Sequence, residues 1–234
     1  MKIMVIHAEY PAAALKQRQD HAREGASPGT ELSFSSLKGE LFKLTGNTDL
    51  LRMLTGPQVV EKAKQAQAAG FDAIVPYGGL DLGVDAARHY VDIPVVGMGR
   101  SGLAIASTIA TRIAVILYRN SSAPAVRRLI REIGFEHAVC TVERVDLHVT
   151  EMVPDNEAFK RKVIEEGRRI VRESAAEAIV PLGTSFLPTN AFAAEVSAEV
   201  GVPFINCVTA GIKMAEVAVA MKLGNSRVAY PRNG

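Results

Sequence analysis

The chain has little cysteine, almost no net charge and no long apolar run, and each shortage removes a class of function. Only Cys140 and Cys207 occur among 234 residues. Two distant thiols supply neither a disulfide framework nor zinc-type spacing, so both read as small apolar core residues. With 27 basic and 25 acidic residues the formal charge is +2, which argues against a dedicated binder of nucleic acid or another polyanion. Arg127-Arg128-Leu129-Ile130-Arg131 and Lys160-Arg161-Lys162 fall on helical patterns and read as solvated faces. No stretch reaches the roughly 20 apolar residues that cross a bilayer. The start, Lys2-Ile3-Met4-Val5-Ile6, is strand-like rather than a charged leader, and the cytoplasm is the expected location. The expected partner is a small-molecule substrate, with no nucleic acid, no membrane, no cofactor and no metal.

What is present is alternation. Strand patterns at 2–8, 31–35, 73–77, 93–98, 112–118, 138–145, 178–182 and 202–206 are separated by helical patterns at 12–24, 58–69, 83–90, 102–111, 123–133, 156–174, 188–200 and 209–223. Several strands are short continuous apolar runs, as parallel strands covered on both faces are. The expected fold is α/β with right-handed crossovers. Residues 37–57, with Gly39, Gly46, Asn47, Gly56 and Pro57, read as a long connecting loop. Residues 224–234 read as a terminus of little information.

The alternation is duplicated. Ala73-Ile74-Val75-Pro76-Tyr77-Gly78-Gly79 returns as Ala178-Ile179-Val180-Pro181-Leu182-Gly183-Thr184, each after an acid, Asp72 or Glu177. Lys2-Ile3-Met4-Val5-Ile6 resembles Arg112-Ile113-Ala114-Val115-Ile116, and Ile93-Pro94-Val95-Val96 resembles Val202-Pro203-Phe204-Ile205. Three landmarks in one order imply two pseudo-symmetric lobes, each a four-stranded, largely parallel sheet flanked by helices. The active site is expected in the cleft between them.

In such sheets ligands gather beyond the carboxyl ends of the strands. The candidates there are His7 and Glu9, then Tyr77, Gly78, Gly79 and Asp81, then Arg100 and Ser101, Arg119, Gly183-Thr184-Ser185, and Asn206. The two glycine corners offer backbone N–H groups to a carboxylate or oxyanion; the plainer alternative is a simple turn before a capped helix. Glu9 and Asp81 are the acid/base candidates, with His7 and Tyr77 as further titrating groups. Asp81 also reads as a helix-start charge. Arg100 and Arg119 suit a bidentate grip on a substrate carboxylate. Gly97-Met98-Gly99-Arg100-Ser101-Gly102 fits the dinucleotide fingerprint, but its counterpart in the other half has no such glycines, and nucleotide binding is not expected.

Gly70-Phe71-Asp72-Ala73-Ile74-Val75, Asp81-Leu82-Gly83-Val84-Asp85-Ala86-Ala87-Arg88, Asp92-Ile93-Pro94-Val95-Val96-Gly97 and Gly211-Ile212-Lys213-Met214-Ala215-Glu216 together resemble the aspartate/glutamate/hydantoin racemase superfamily. The resemblance implies a small carboxylic acid or hydantoin-like ring as substrate, a homo-oligomer, and a last helix that returns to the first lobe, so the expected boundaries are 1–98 plus 208–234 for the first lobe and 99–207 for the second. It also implies two cysteines, one per lobe, exchanging a proton at the corners. Here those positions are Gly78 and Gly183, and the segment after the first strand is His7-Ala8-Glu9-Tyr10 instead of an Asn-Pro-Asn-Thr-like run. Cys207 follows the last strand and has no symmetric partner. The expectation is therefore an enzyme with non-cysteine chemistry, a hydrolase or lyase on such a ring or carboxylate. The alternatives are a racemase or isomerase using carboxylate bases, and a non-catalytic binding protein.

Overall fold

The computed structural model describes residues 1–39, 48–118, 121–146, 157–183 and 189–232. The chain divides into two compact units, Met1–Ser101 with Val208–Gly234, and Gly102–Cys207. Within the first unit, β1 (Lys2–Ala8), α1 (Ala12–Gly25), β2 (Glu31–Leu37), α2 (Thr48–Ala68), β3 (Ala73–Pro76) and α3 (Val84–Arg88) follow one another. α4 (Met98–Ser107) comes next, and the second unit continues with β4 (Ile113–Leu117), α5 (Ala123–Glu132), β5 (Val139–Arg144), α6 (Glu157–Ser174), β6 (Ala178–Pro181) and α7 (Asn190–Val200). α8 (Cys207–Ala220) closes the order.

Each unit holds a parallel three-stranded sheet, ordered β2-β1-β3 in one and β5-β4-β6 in the other. All four residues of β3 and of β6 are buried, as strands covered on both faces must be. The internal repeat extends to single hydrogen bonds. Tyr77 N–H donates to the Ile6 carbonyl at 2.7 Å, and Leu182 N–H to that of Ile116 at 3.1 Å. The acids before each corner tie down the start of the neighbouring strand: Asp72 accepts Lys2 N–H at 2.7 Å, and Glu177 accepts Arg112 N–H at 3.2 Å.

The expected fourth strand is reduced in both units to a single bridge, Ile74 with Val95 and Ile179 with Phe204. Pro94 and Pro203 immediately precede the bridging residues. A proline has no N–H to extend a ladder, so pairing stops after one step. A second difference lies in 37–57. α2 begins at Thr48 and carries Pro57 inside it, so residues 48–57 are helical rather than loop. Leu51 and Thr55 are buried there, and this packing overrides the Gly56-Pro57 break signal; residues 40–47 lie outside those described.

The first core gathers Ile6, Leu37, Val59, Ile74, Val84 and Val95; the second gathers Ile116, Val163, Ile170, Ile179, Val196 and Phe204. Each such side chain contributes about 1.5–3 kcal/mol by leaving water. In α5, Val126, Leu129 and Ile130 are buried while Arg127, Arg128 and Arg131 are exposed, so that basic run is a helix face.

Candidate active site

The first corner forms where β3 ends beside β1. Ile6 lies in register with Pro76, which brings His7 and Ala8 alongside Tyr77 and Gly78. Gly78 has φ +143°, a backbone state open to glycine and strained for any residue with a Cβ. The space a Cβ would occupy there holds no atom within 4 Å. Backbone conformation, not crowding, demands this glycine. The N–H groups of Gly78, Gly79 and Leu80 have no hydrogen-bond acceptor among the described residues. Such a run of donors suits a carboxylate or a developing oxyanion.

The four titratable candidates of β1, β3 and the turn after β3 are in different states. Glu9 is exposed and makes no hydrogen bond or ion pair among the described residues. Tyr77 is half-buried. His7 is 2% exposed; its Nδ1 lies 2.8 Å from the Ala8 carbonyl and 3.3 Å from Ser36 Oγ, with Nε2 3.4 Å from Gln19 Nε2. A carbonyl can only accept, so Nδ1 carries the proton and Nε2 accepts from Gln19. Burial pulls the His7 pKa below the ordinary 6.5, the Arg18 charge adds to this, and hydrogen bonds to the backbone oppose it. His7 is thus a neutral ring held from both ends.

Asp81 is occupied in another way. Its side chain is fully buried, and its backbone has φ +51°, strained for a residue with a side chain. Oδ1 accepts Gly99 N–H at 2.8 Å, while Oδ2 accepts Arg100 N–H at 3.0 Å and Arg100 Nε–H at 2.9 Å. The carboxylate therefore caps the start of α4, where aligned N–H groups favour negative charge. Burial pushes the Asp81 carboxyl above its ordinary value, and the charge and hydrogen bonds of Arg100 pull against that. The guanidinium is divided between two carboxylates, its NH2 group donating to Asp85 Oδ2 at 2.9 Å. Burial works against the Arg100 cation, but hydrogen bonding and charge from Asp85 and Asp81 outweigh it and raise its pKa.

The fingerprint glycines have an internal reason. A Cβ on Gly97 would stand 2.3 Å from the Asp81 carboxyl carbon, one on Gly99 2.0 Å from the Gly79 carbonyl oxygen, and one on Gly102 2.5 Å from Cys207 Sγ. All three let the chain approach itself. The helix start already holds an anion of its own.

The remaining candidates divide by unit. Ser101 is buried and its hydroxyl donates to the Gly97 carbonyl at 2.6 Å. In the second unit Gly183 is buried at the end of β6, and Asn206 Nδ2 donates to Asn190 Oδ1 at 3.1 Å. Cys207 is 2% exposed, with Sγ 3.3 Å from the Pro181 carbonyl, whereas Cys140 is half-buried. Arg119, Thr184 and Ser185 lie outside the described residues. Among the described residues no group of three His, Cys, Asp or Glu is placed to hold a metal ion, and no helix is long and apolar enough to cross a membrane.

The tail makes contacts that no motif in the sequence announces. Asn225 Nδ2 donates to the Val91 and Ile93 carbonyls at 2.8 and 2.7 Å, and its Oδ1 accepts Val95 N–H at 3.2 Å. Arg227 donates to Asp92 at 2.8 Å, and Tyr230 hydroxyl to Asp85 Oδ1 at 3.0 Å. The tail is anchored because single polar side chains complete the backbone beside the one-bridge strand. Only the polar composition Asn225, Arg227, Tyr230 hinted at this; a tail without periodicity gives no further signal.

A family model described as Asp/Glu/Hydantoin racemase matches residues 51–215. A hydantoin racemase from Pseudomonas sp. (strain NS671) is 31% identical over 228 residues, 97% of this chain and 90% of its own. Among solved structures, allantoin racemase from Klebsiella pneumoniae is similar at a TM-score of 0.82 and 24% identity, over 100% of this chain and 95% of that one. Unliganded arylmalonate decarboxylase is similar at a TM-score of 0.63 and 18% identity, over 93% and 92%. These last two likenesses show the fold alone.

Proposed function

This chain belongs to the Asp/Glu/hydantoin racemase family, and we propose that it acts on a small hydantoin-like ring or carboxylate without thiol chemistry, as a hydrolase or lyase. The observation that carries this reading is the first corner: three backbone N–H groups, at a glycine in the position expected for a thiol, have no acceptor among the described residues; Glu9, exposed and without a partner among them, follows β1, the strand paired with β3. Donors of this kind stabilise charge developing on a carbonyl oxygen. Glu9 would take a proton from water as it adds to a ring carbonyl, and return it to the ring nitrogen as the C–N bond breaks. Tyr77 immediately precedes the same corner, and His7, a neutral ring, lies on the neighbouring strand β1. Asp81 serves by holding α4 and Arg100 in place, the helix-start role among its two expected ones.

A second reading, a racemase with carboxylate bases, is favoured by the names of the relatives, a hydantoin racemase and an allantoin racemase. Enantiopure 5-substituted hydantoins, allantoin and small dicarboxylates incubated in D2O separate the two. Ring-opened or cleaved product at retained optical purity supports the hydrolase or lyase. Deuterium at the ring carbon with loss of optical purity and no new product overturns it in favour of the racemase. A ligand that raises the melting temperature and is recovered unaltered points to a binding protein.

A further inference from the structure

We propose that Tyr230, in the C-terminal tail, is a positioning residue for the Gly78–Asp81 corner, acting through Asp85 and Arg100. The chain of contacts is continuous. Tyr230 hydroxyl donates to Asp85 Oδ1 at 3.0 Å, and Arg88 NH1 donates both to that hydroxyl at 2.9 Å and to Asp85 Oδ1 at 3.1 Å. Asp85 Oδ2 accepts from Arg100 at 2.9 Å, and Arg100 Nε donates to the buried Asp81 at 2.9 Å. Asp81 then holds the amides of Gly99 and Arg100 and lies one residue after Leu80, the last of the three open N–H donors.

Each link constrains the next. Asp85 is about half exposed and sits on α3, a helix of 5 residues, so its rotamer is weakly determined by packing alone. With Tyr230 and Arg88 both on Oδ1, Oδ2 is directed to Arg100. Arg100 serves both carboxylates at once in the rotamer it adopts. The left-handed backbone at Asp81 needs such support, since strained φ/ψ persists only where its surroundings over-determine it. Hydrogen bonds to charged groups in a chain reinforce one another. The ring of Tyr230 is fixed separately, edge-on to His89 at 5.4 Å between centroids and 5.3 Å from the Arg88 guanidinium carbon, so the hydroxyl can be removed without releasing the tail.

The catalytic part of this inference rests on the first corner being the working one; the positioning part does not. Tyr230→Phe and Asp85→Asn are made in the full chain and compared by NMR-detected amide exchange. Gly99 and Arg100 amides are expected to exchange about tenfold faster in Tyr230→Phe, the scale of one hydrogen bond to a charged group, with shifted resonances at Gly78, Gly79 and Leu80 and unchanged exchange in β5. The double variant should exceed the larger single effect by less than twofold, roughly, if both act in one chain. On a 5-substituted hydantoin turned over by the wild type, kcat should fall about tenfold with KM within about twofold. Changes confined to 224–232 and α3 would overturn the proposal, as would an unaltered corner in both variants. If no hydantoin is turned over, the proposed function fails by itself and amide exchange still decides the role of Tyr230.

Discussion

Asp81 Oδ1 accepts the backbone N–H of Gly99 at 2.8 Å, across 18 residues of sequence. That bond explains why a dinucleotide fingerprint occurs in a chain whose helix start is already filled. The position that would receive a pyrophosphate is held by an internal carboxylate, and the glycines around it make room for that carboxylate and for the Gly79 carbonyl. Substitutions at these glycines should therefore act on stability. Gly99→Ala places a methyl 2.0 Å from the Gly79 oxygen and is expected to cost about 1–3 kcal/mol or more. Urea unfolding measures this, and a Gly99→Ala protein as stable as the wild type would refute the packing account.

Gly78 makes the opposite prediction. Its Cβ position is open, so Gly78→Cys meets no clash and is opposed only by the backbone at φ +143°, a strain of about 1–3 kcal/mol. The variant should fold with a lowered melting temperature and a thiol titratable by Ellman's reagent. An unreactive thiol in the folded variant would show that the corner is not open.

Thiols already present should be dispensable. Cys140→Ser with Cys207→Ala is expected to keep turnover on whichever hydantoin or dicarboxylate the wild type converts, because Cys207 is buried against the Pro181 carbonyl and Cys140 belongs to β5. Loss of kcat in a folded double variant would return the reaction to sulfur. Glu9→Ala, by contrast, should leave the melting temperature within about 1 °C, since exposed changes stay within about 0.5 kcal/mol, while turnover is lost.

His7 sets a pH dependence. Its folded pKa lies below the ordinary 6.5, as does that of His21, lowered mainly by burial. Between each folded value and 6.5 the unfolded chain binds the proton and the folded one does not. Stability from both rings is therefore present above pH 6.5 and is lost as the pH falls through that window, by at most about 1.4 kcal/mol per pH unit for each ring. His7→Asn should flatten the profile between about pH 5 and 7 by one ring's share; an unchanged slope would mean that His7 is protonated in the fold.

The one-bridge strand depends on Asn225. Asn225→Ala takes the donor from each of the Val91 and Ile93 carbonyls and the acceptor from Val95 N–H at once and should cost about 1–3 kcal/mol, read from denaturant midpoints. Much of that loss should appear as faster exchange at Val95, whose N–H loses its acceptor.

The repeat, the parallel strands and the first glycine corner are legible because they rest on local patterns. Apolar runs such as Ala73–Pro76 and Ala178–Pro181 state their own burial, and two copies in order imply two like units whatever else the chain does. The fourth strands are shorter than their pattern because Pro94 and Pro203 look like strand starts in sequence but act as pairing stops in a ladder. The early start of α2 was hidden because Leu51 and Thr55 repay Pro57 only through packing.

For the fingerprint from Gly97 to Gly102, the amino-acid pattern by itself determined that the backbone must come close to something. Only the tertiary structure decided that the something is Asp81, Gly79 and Cys207 of the same chain. Asp81 likewise read equally as a proton carrier or a helix charge, and what separates these is the placement of Gly99 and Arg100 around its oxygens. Tyr230 and Asp85 meet across 145 residues. No periodicity encodes such a contact, because it is set by where two folded segments lie rather than by how either one folds.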